Sequence, residues 1–363
     1  MKLGLLLTPG DSLKKQYQSG QLDRLVSYYL KPYAKDFDRV YLFSYADASF
    51  RSKLPPKVVL VPKPKLIPYR AYQLLLPFFY PRLISGISVF RVFQATGGLP
   101  AALMRLIYRK PYVVTYGYDY AQFAHIDQRP GLAKLLNWAT LPSLKLASKI
   151  IVTSPEVERD LKRRGYAEKV VFLPNGVDPR VFKPAPRSKK PYQVLTVGRL
   201  THKKNHQLML KIVSLSRHRS KIDLVIVGRG PLKKSLIKTA KKLKLKLTFL
   251  PPMFHQKLLS YYQQAGVFAL TSKIEGQPKV LLEALSCACA TLTTPFAGNL
   301  VKDNHTGLVA ATAPGLARKL DRLLVSPKLA FRLGRAGRRF VKENFDIKKL
   351  IYQEIELLKS CPK

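Results

Sequence analysis

Acidic residues are scarce. The 363-residue chain carries 21 Asp and Glu against 64 Lys and Arg, a formal net charge of +43. Between Ala48 and Tyr118 there is no acid and there are eleven Lys or Arg; between Pro179 and Ile274 Asp223 stands against twenty-two. Self-repulsion on this scale calls for a counter-charge: a polyanion, an acidic bilayer surface or a phosphorylated ligand. Cysteine is also scarce. Cys287, Cys289 and Cys361 cannot form a disulfide framework, no Cys/His spacing fits structural zinc, and a reducing cytoplasm is the expected compartment. Long apolar runs are missing. The nearest to a spanning segment, 71–90, is broken by Pro77, Pro81 and Arg82. The run Leu3–Leu7 is too short for a secretory segment and reads as a first buried strand. Apolar residues as such are not lacking: 47% are hydrophobic and 10% aromatic. That excludes a disordered chain and suffices for about two domains.

Short apolar runs alternate with longer helical patterns, which predicts parallel α/β architecture. The predicted strands of the first half are Leu3–Leu7, Arg39–Phe43, Val58–Val61, Val89–Gln94, Tyr112–Tyr116, Ile150–Thr153 and Val170–Leu173. Helices are predicted between them, such as Gln21–Tyr33 and Ala101–Tyr108. Residues 181–191 hold three prolines and four basic residues and read as a domain linker. Beyond it, Val194–Val197, Leu224–Val227, Leu247–Leu250, Val267–Leu270 and Thr291–Thr293 alternate with four helical stretches, and Leu316–Leu358 reads as mostly helical. The expected layout is therefore domain 1–180, linker 181–191 and domain 192–344, with a helix over about 345–363 packing back on the first.

Three segments could carry chemistry. Val197-Gly198-Arg199-Leu200-Thr201-His202-Lys203-Lys204-Asn205 joins a strand to a helix, where parallel sheets bind ligands and helix N-termini attract phosphate. Gly198 allows close backbone approach, and Arg199 and Lys204 add charge suited to a diphosphate. Ser272 to Ala284 also follows a strand and opens a helix at Pro278. Its Glu275 and Glu283 are separated by seven residues and can serve one ligand; a carboxylate accepts from paired sugar hydroxyls. Pro174-Asn175-Gly176-Val177-Asp178 is a turn signal after a strand. His202 and His206, four apart, have metal-ligand spacing but no evident third ligand. Cys287 and Cys289 read as buried, inert thiols.

Together these segments resemble the family 4 glycosyltransferases, which have the GT-B fold: two Rossmann-like domains facing a central crevice. The resemblance is diffuse in the first half and dense from Val170 onward. It also covers Thr153-Ser154-Pro155-Glu156, Val225–Leu232, the run from Leu250 to Ala284, and Asp303–Val309. It implies retaining transfer of a hexose-type sugar from a UDP- or GDP-linked donor, without a metal or other cofactor. Arg199 and Lys204 would hold the diphosphate, with Glu275 beside the transferred sugar. Glu283 would bind the ribose hydroxyls, and the backbone of Gly198, Gly276, Gln277 and Pro278 would line the donor.

There are departures from the family pattern. Its usual histidine near the reacting sugar has no counterpart in Val113–Tyr120, where Tyr116 or Asp119 could substitute; His125 nearby reads as a loop residue. Cys287-Ala288-Cys289-Ala290 replaces a glycine and proline, and Ala297-Gly298-Asn299-Leu300 stands for a longer Gly-Gly-x-Pro-Glu segment. Pro9-Gly10-Asp11-Ser12 matches the family's glycine-rich loop faintly. Gly10, Gly97, Tyr116 and Asp119 are the acceptor-side candidates. The basic, aromatic segment from Lys63 to Arg82 suits an anionic membrane surface. The expected protein is peripheral on the inner face of the cell membrane, with a glycan or lipid-linked acceptor. Two alternatives stand beside this reading: another GT-B enzyme, such as a nucleotide-sugar epimerase or a phosphorylase, and a non-catalytic polyanion-binding protein. Nucleic acid is not an expected partner, because no recognition motif accompanies the charge.

Overall fold

The computed structural model describes the chain except residues 47, 120–125, 127–129, 186–188, 254 and 362–363 and the side chains of 130, 132–135, 137, 139, 255 and 256. His125 thus lies outside the described residues. Two units emerge: Met1–Pro174 with Lys348–Lys363, and Asn175–Ile347.

The first unit is built on strands β1 (Lys2–Leu6), β2 (Arg39–Phe43), β3 (Val58–Val61), β4 (Val89–Val92), β5 (Tyr112–Tyr116), β6 (Lys149–Val152) and β7 (Val170–Phe172). All pair in parallel in the order β3-β2-β1-β4-β5-β6-β7. Most are near-continuous apolar runs because helices cover both faces of such a sheet. The order reverses at β1, whose neighbours are β2 and β4. The steps β3 to β4, β4 to β5 and β5 to β6 run the same way across the sheet. Right-handed crossovers therefore place helices Tyr69–Phe79, Leu99–Tyr108 and Pro130–Lys145 on one face. The first packs on the second and the second on the third. On the opposite side of the sheet, the helix expected over Gln21–Tyr33 is interrupted: α-helical Leu22–Leu25 and Lys31–Asp36 flank a π turn, Val26–Leu30.

The C-terminal helix Ile347–Lys359 brings Glu354 into this unit. Its buried Oε1 accepts from Arg91 Nε on β4 at 2.5 Å and from Tyr33 Oη at 2.5 Å. Arg91 also donates to Val92 O at 2.5 Å and Thr115 Oγ1 at 2.8 Å. Burial, then the Glu354 charge, pushes the Tyr33 hydroxyl well above its ordinary value.

The second unit repeats the scheme with β8 (Lys190–Val197), β9 (Asp223–Val227), β10 (Leu247–Leu250), β11 (Ala265–Leu270), β12 (Ala290–Thr293) and β13 (Leu308–Val309). These pair in parallel in the order β10-β9-β8-β11-β12-β13, reversing at β8. β13 is a two-residue strand not expected from the sequence.

The units divide at Pro174/Asn175 rather than near 180, and 181–191 belongs to the second unit. Val177 pairs with Asp346, and Arg180 joins Asp178 at 2.6 Å and Asp346 at 2.8 Å. Phe182 is buried against Tyr262. β8 itself begins at Lys190. Pro184 and Pro191 of the expected linker are exposed on this unit.

Candidate functional site

In the second unit β8 and β11 lie side by side and end together at the reversal of strand order, where parallel sheets bind ligands. The loops that follow them are the two motifs richest in chemistry. They are tied by backbone, Lys273 N–H donating to Lys203 O at 2.8 Å. Thr271 Oγ1 donates to Asn205 O at 3.0 Å, and Thr294 Oγ1 to Ser272 O at 2.7 Å. Lys204 Nζ meets Glu275 Oε1 at 2.5 Å, and the side chains are only 13% and 10% exposed. Ser272 Oγ donates to the same carboxylate oxygen at 2.6 Å. Arg199 is exposed, and no described carboxylate pairs with it. Of the two cations predicted for the diphosphate, Lys204 is pinned to Glu275 and Arg199 faces solvent.

Two glycines make this packing possible. A Cβ on Gly198 would lie 3.3 Å from Lys204 Cε, because the lysine stem runs over that residue. A Cβ on Gly228 would lie 1.9 Å from Gly198 O, which no side chain can occupy. Gly228 follows β9, so the ends of β8 and β9 touch backbone to backbone.

Gly276, Gln277 and Pro278 are buried just before the helix Lys279–Ser286, and no side chain caps that helix at Pro278. Gln277 Oε1 accepts from Asn175 N–H, and Asn175 Nδ2 donates to Gln277 O at 3.1 Å. The Pro174–Asp178 turn is thereby joined to the Glu275 loop, a pairing 102 residues apart in sequence.

Glu283 lies inside the helix and is 3% exposed. It accepts from Tyr262 Oη at 2.9 Å. Burial first, and the Glu283 charge second, push the Tyr262 hydroxyl well above its ordinary value. The two glutamates therefore stand in different settings, Glu275 with a lysine and a serine, Glu283 with a buried tyrosine. Nothing in the sequence singled out Tyr262, which reads as an ordinary core aromatic on the helix His255–Gln264.

His202 and His206 do not share a helix face. His202 sits in a single 3₁₀ turn, Asn205 has φ 51° between them, and His206 begins the next helix. His206 is buried, and desolvation, with the Lys204 charge second, lowers its pKa to about 4. Among the described residues no three His, Cys, Asp or Glu gather as a metal-ligand set. Cys287 and Cys289 are buried, and burial raises both thiols. In the shortened segment after β12, Asn299 closes the turn: its Nδ2 donates to Thr293 Oγ1 at 3.0 Å, and its Oδ1 accepts from Val301 N–H at 3.0 Å.

The acceptor-side candidates all fall in the first unit, at or after the ends of adjacent strands β1, β4 and β5. Gly10 has φ 74° in the loop after β1, and its carbonyl accepts from Lys15 Nζ. A Cβ on Gly97 would lie 3.1 Å from Leu7 O. Tyr116 ends β5 and is buried, which raises its hydroxyl. Asp119 pairs with Arg164 at 3.4 Å. Asp11, beside Gly10, has its carboxyl raised by burial despite the Gln16 and Ser12 donors; the sequence reading gave it no role.

Two family signatures match the chain: Glycosyltransferase Family 4 over residues 24–181 and Glycosyl transferases group 1 over residues 178–340. Together they span most of the sequence, and the chain belongs to the family 4 glycosyltransferases. Among its relatives is GalNAc-alpha-(1->4)-GalNAc-alpha-(1->3)-diNAcBac-PP-undecaprenol alpha-1,4-N-acetyl-D-galactosaminyltransferase of Campylobacter jejuni. It is 36% identical over 138 residues, 36% of this chain and 38% of that one. A GDP-mannose-dependent alpha-(1-6)-phosphatidylinositol monomannoside mannosyltransferase of Mycobacterium tuberculosis is 29% identical over 201 residues, 49% of this chain and 52% of that one. The chain thus matches between about a third and a half of the length of these relatives. Among solved structures, HepE of Anabaena in complex with UDP superposes with a TM-score of 0.76 at 17% identity, covering 99% of this chain and 100% of that one. Sucrose-phosphate synthase of Thermosynechococcus elongatus gives 0.79 at 20% identity, covering 99% and 98%. The fold is GT-B. No helix among the described residues is long and apolar enough to cross a membrane.

Proposed function

We propose that this protein moves a hexose-type sugar from a nucleotide diphosphate sugar to a glycan or lipid-linked acceptor at the cytoplasmic face of a membrane, with retention at the anomeric carbon. The observation that carries the reading is the Lys204–Glu275–Ser272 cluster at the β8/β11 reversal, with Arg199 beside it. When the anomeric C–O bond breaks, the electron pair leaves with the diphosphate. Fixed cations at that position lower the barrier because they need no reorganisation as charge develops. Arg199 and Lys204 fill this role. Lys204 exchanges its bond to Glu275 for the phosphate oxygens, and Glu275 then meets the transferred sugar. The backbone of Gly198, Gly276, Gln277 and Pro278 borders the donor, and Glu283, held by Tyr262, takes the ribose hydroxyls. The reading requires no metal. Gly10, Gly97, Tyr116 and Asp119 are the first unit's candidates for the acceptor.

The relatives support a lipid-linked acceptor: one is named for an undecaprenol diphosphate oligosaccharide, another for a phosphatidylinositol mannoside. They leave UDP and GDP both open, since one is GDP-mannose-dependent and HepE was solved with UDP. Calorimetric titration with UDP and with GDP, on this chain and on Glu283→Ala, is the test. Tight binding of one nucleotide, weakened in the variant, is the expected result. Binding of neither overturns the donor site. Sugar release or phosphorolysis without transfer would point to a different GT-B reaction.

A further inference from the structure

The helices Tyr69–Phe79, Leu99–Tyr108 and Pro130–Lys145 share one face of the first unit's sheet. Each turns large apolar side chains to solvent. Leu74 and Phe78 lie on the first, Leu106 and Ile107 on the second, Trp138 and Leu141 on the third. Phe78 is 61% exposed, Leu106 63% and Trp138 71%. Isolated exposed leucines are ordinary, but six large side chains on three successively packed helices are not. Tyr108 Oη donates to Pro77 O at 3.0 Å and holds the first two helices together.

The charge on the three helices is of one sign. None of the three helices contains an Asp or Glu, while Arg70, Arg82, Arg109 and Lys145 on or beside them are exposed. Only the first helix lies in the segment Lys63–Arg82 that the sequence marks out. The other two join it through the crossover topology.

From this arrangement we infer that the three helices form one docking face for an anionic lipid bilayer, with Leu74, Phe78, Leu106, Ile107, Trp138 and Leu141 inserting among the acyl chains. Burial of apolar area and attraction to acidic headgroups add at such a face. A large aromatic such as Trp138 favours the headgroup boundary. A second copy of the chain fits less well, because joining two such faces would oppose their cations. Nucleic acid fits less well because the centre of the face is aliphatic. The inference deepens the proposed lipid-linked acceptor and rests on that reading for its purpose, but vesicle binding is measured without any transfer reaction.

Trp138 is the only tryptophan in the chain, so its fluorescence reports on this face alone. The full chain is mixed with vesicles of phosphatidylglycerol and phosphatidylcholine, or of phosphatidylcholine alone, and followed by sedimentation and emission. The expected result is sedimentation and a blue shift with the anionic vesicles, both weakened by salt. Phe78→Ser combined with Leu106→Ser changes exposed residues only. It lowers vesicle affinity by about tenfold or more, with unchanged far-ultraviolet circular dichroism and unchanged nucleotide titration. Absence of an emission shift overturns the inference, as does binding that the double variant leaves intact. So does a Trp138 shift caused by single-stranded nucleic acid or by self-association instead of vesicles. Failure of the nucleotide titration with vesicle binding preserved would count against the donor site and leave this face standing.

Discussion

Glu354→Ala should strongly destabilise the first unit. Arg91 and Glu354 are 4% and 7% exposed and meet at 2.5 Å. Without the carboxylate, a guanidinium stays buried on a central strand and Tyr33 Oη loses its acceptor. Removing one partner of a buried pair costs about 3–5 kcal/mol. Arg91 retains Val92 O, Thr115 Oγ1 and the ring of Phe93 at 5.3 Å, which favours the lower end of that range. Urea unfolding followed by far-ultraviolet circular dichroism is the assay, the first unit's transition being the one that the substitution shifts where the two units unfold separately. Glu354→Gln keeps an acceptor for Tyr33 and should lose less. Arg91→Met combined with Glu354→Leu removes both charges and should recover most of the loss, since apolar replacements of buried pairs are often neutral. A cost below about 1 kcal/mol for Glu354→Ala would refute the reasoning. So would a double variant as unstable as the single one.

Lys204→Met should lower kcat for sugar transfer by about 10²–10³-fold while leaving the fold intact; a loss within threefold, read by steady-state assay, removes Lys204 from the diphosphate. His206 is neutral when folded, its pKa lowered from 6.5 to about 4. Its contribution is therefore complete above pH 6.5 and falls as the pH drops toward 4, by roughly 3 kcal/mol in all at 1.36 kcal/mol per unit. Chemical denaturation across that window should show this slope reduced in His206→Leu, and an unchanged slope would mean the histidine is hydrated. Gly228→Ala places a methyl 1.9 Å from Gly198 O, so the loop carrying Arg199 and Lys204 must shift. Nucleotide affinity measured by calorimetry should fall by about tenfold or more, and wild-type affinity would show that the backbone contact is not needed.

The strands were legible because a sheet covered on both faces demands uninterrupted apolar runs. Arg39–Phe43, Val58–Val61, Tyr112–Tyr116 and Leu247–Leu250 were predicted residue for residue. The helix over Gln21–Tyr33 was predicted as continuous because its apolar spacing does not reveal the π turn at Val26–Leu30. The boundary between the units falls at Pro174/Asn175 rather than in 181–191 because proline marks any segment that leaves regular structure, whether it joins domains or lies, like buried Phe182, within one.

By itself the sequence marked out the residues of the candidate site. Arg199, Lys204 and Glu275 stand in strand-to-helix junctions, with Glu283 in the helix after the second, and local pattern places such junctions at the carboxyl ends of parallel strands. It also determined that one sign of charge dominates. Only the tertiary structure decided which of these residues meet. Lys204 reaches Glu275 because β8 and β11 are neighbours in the sheet though not in the chain. Glu283 has Tyr262 beside it, and Asn175 bonds to Gln277. The exposed apolar face was out of reach for the same reason. Leu74, Leu106 and Trp138 belong to separate amphipathic patterns, and the handedness of three crossovers brings them to one side of the sheet.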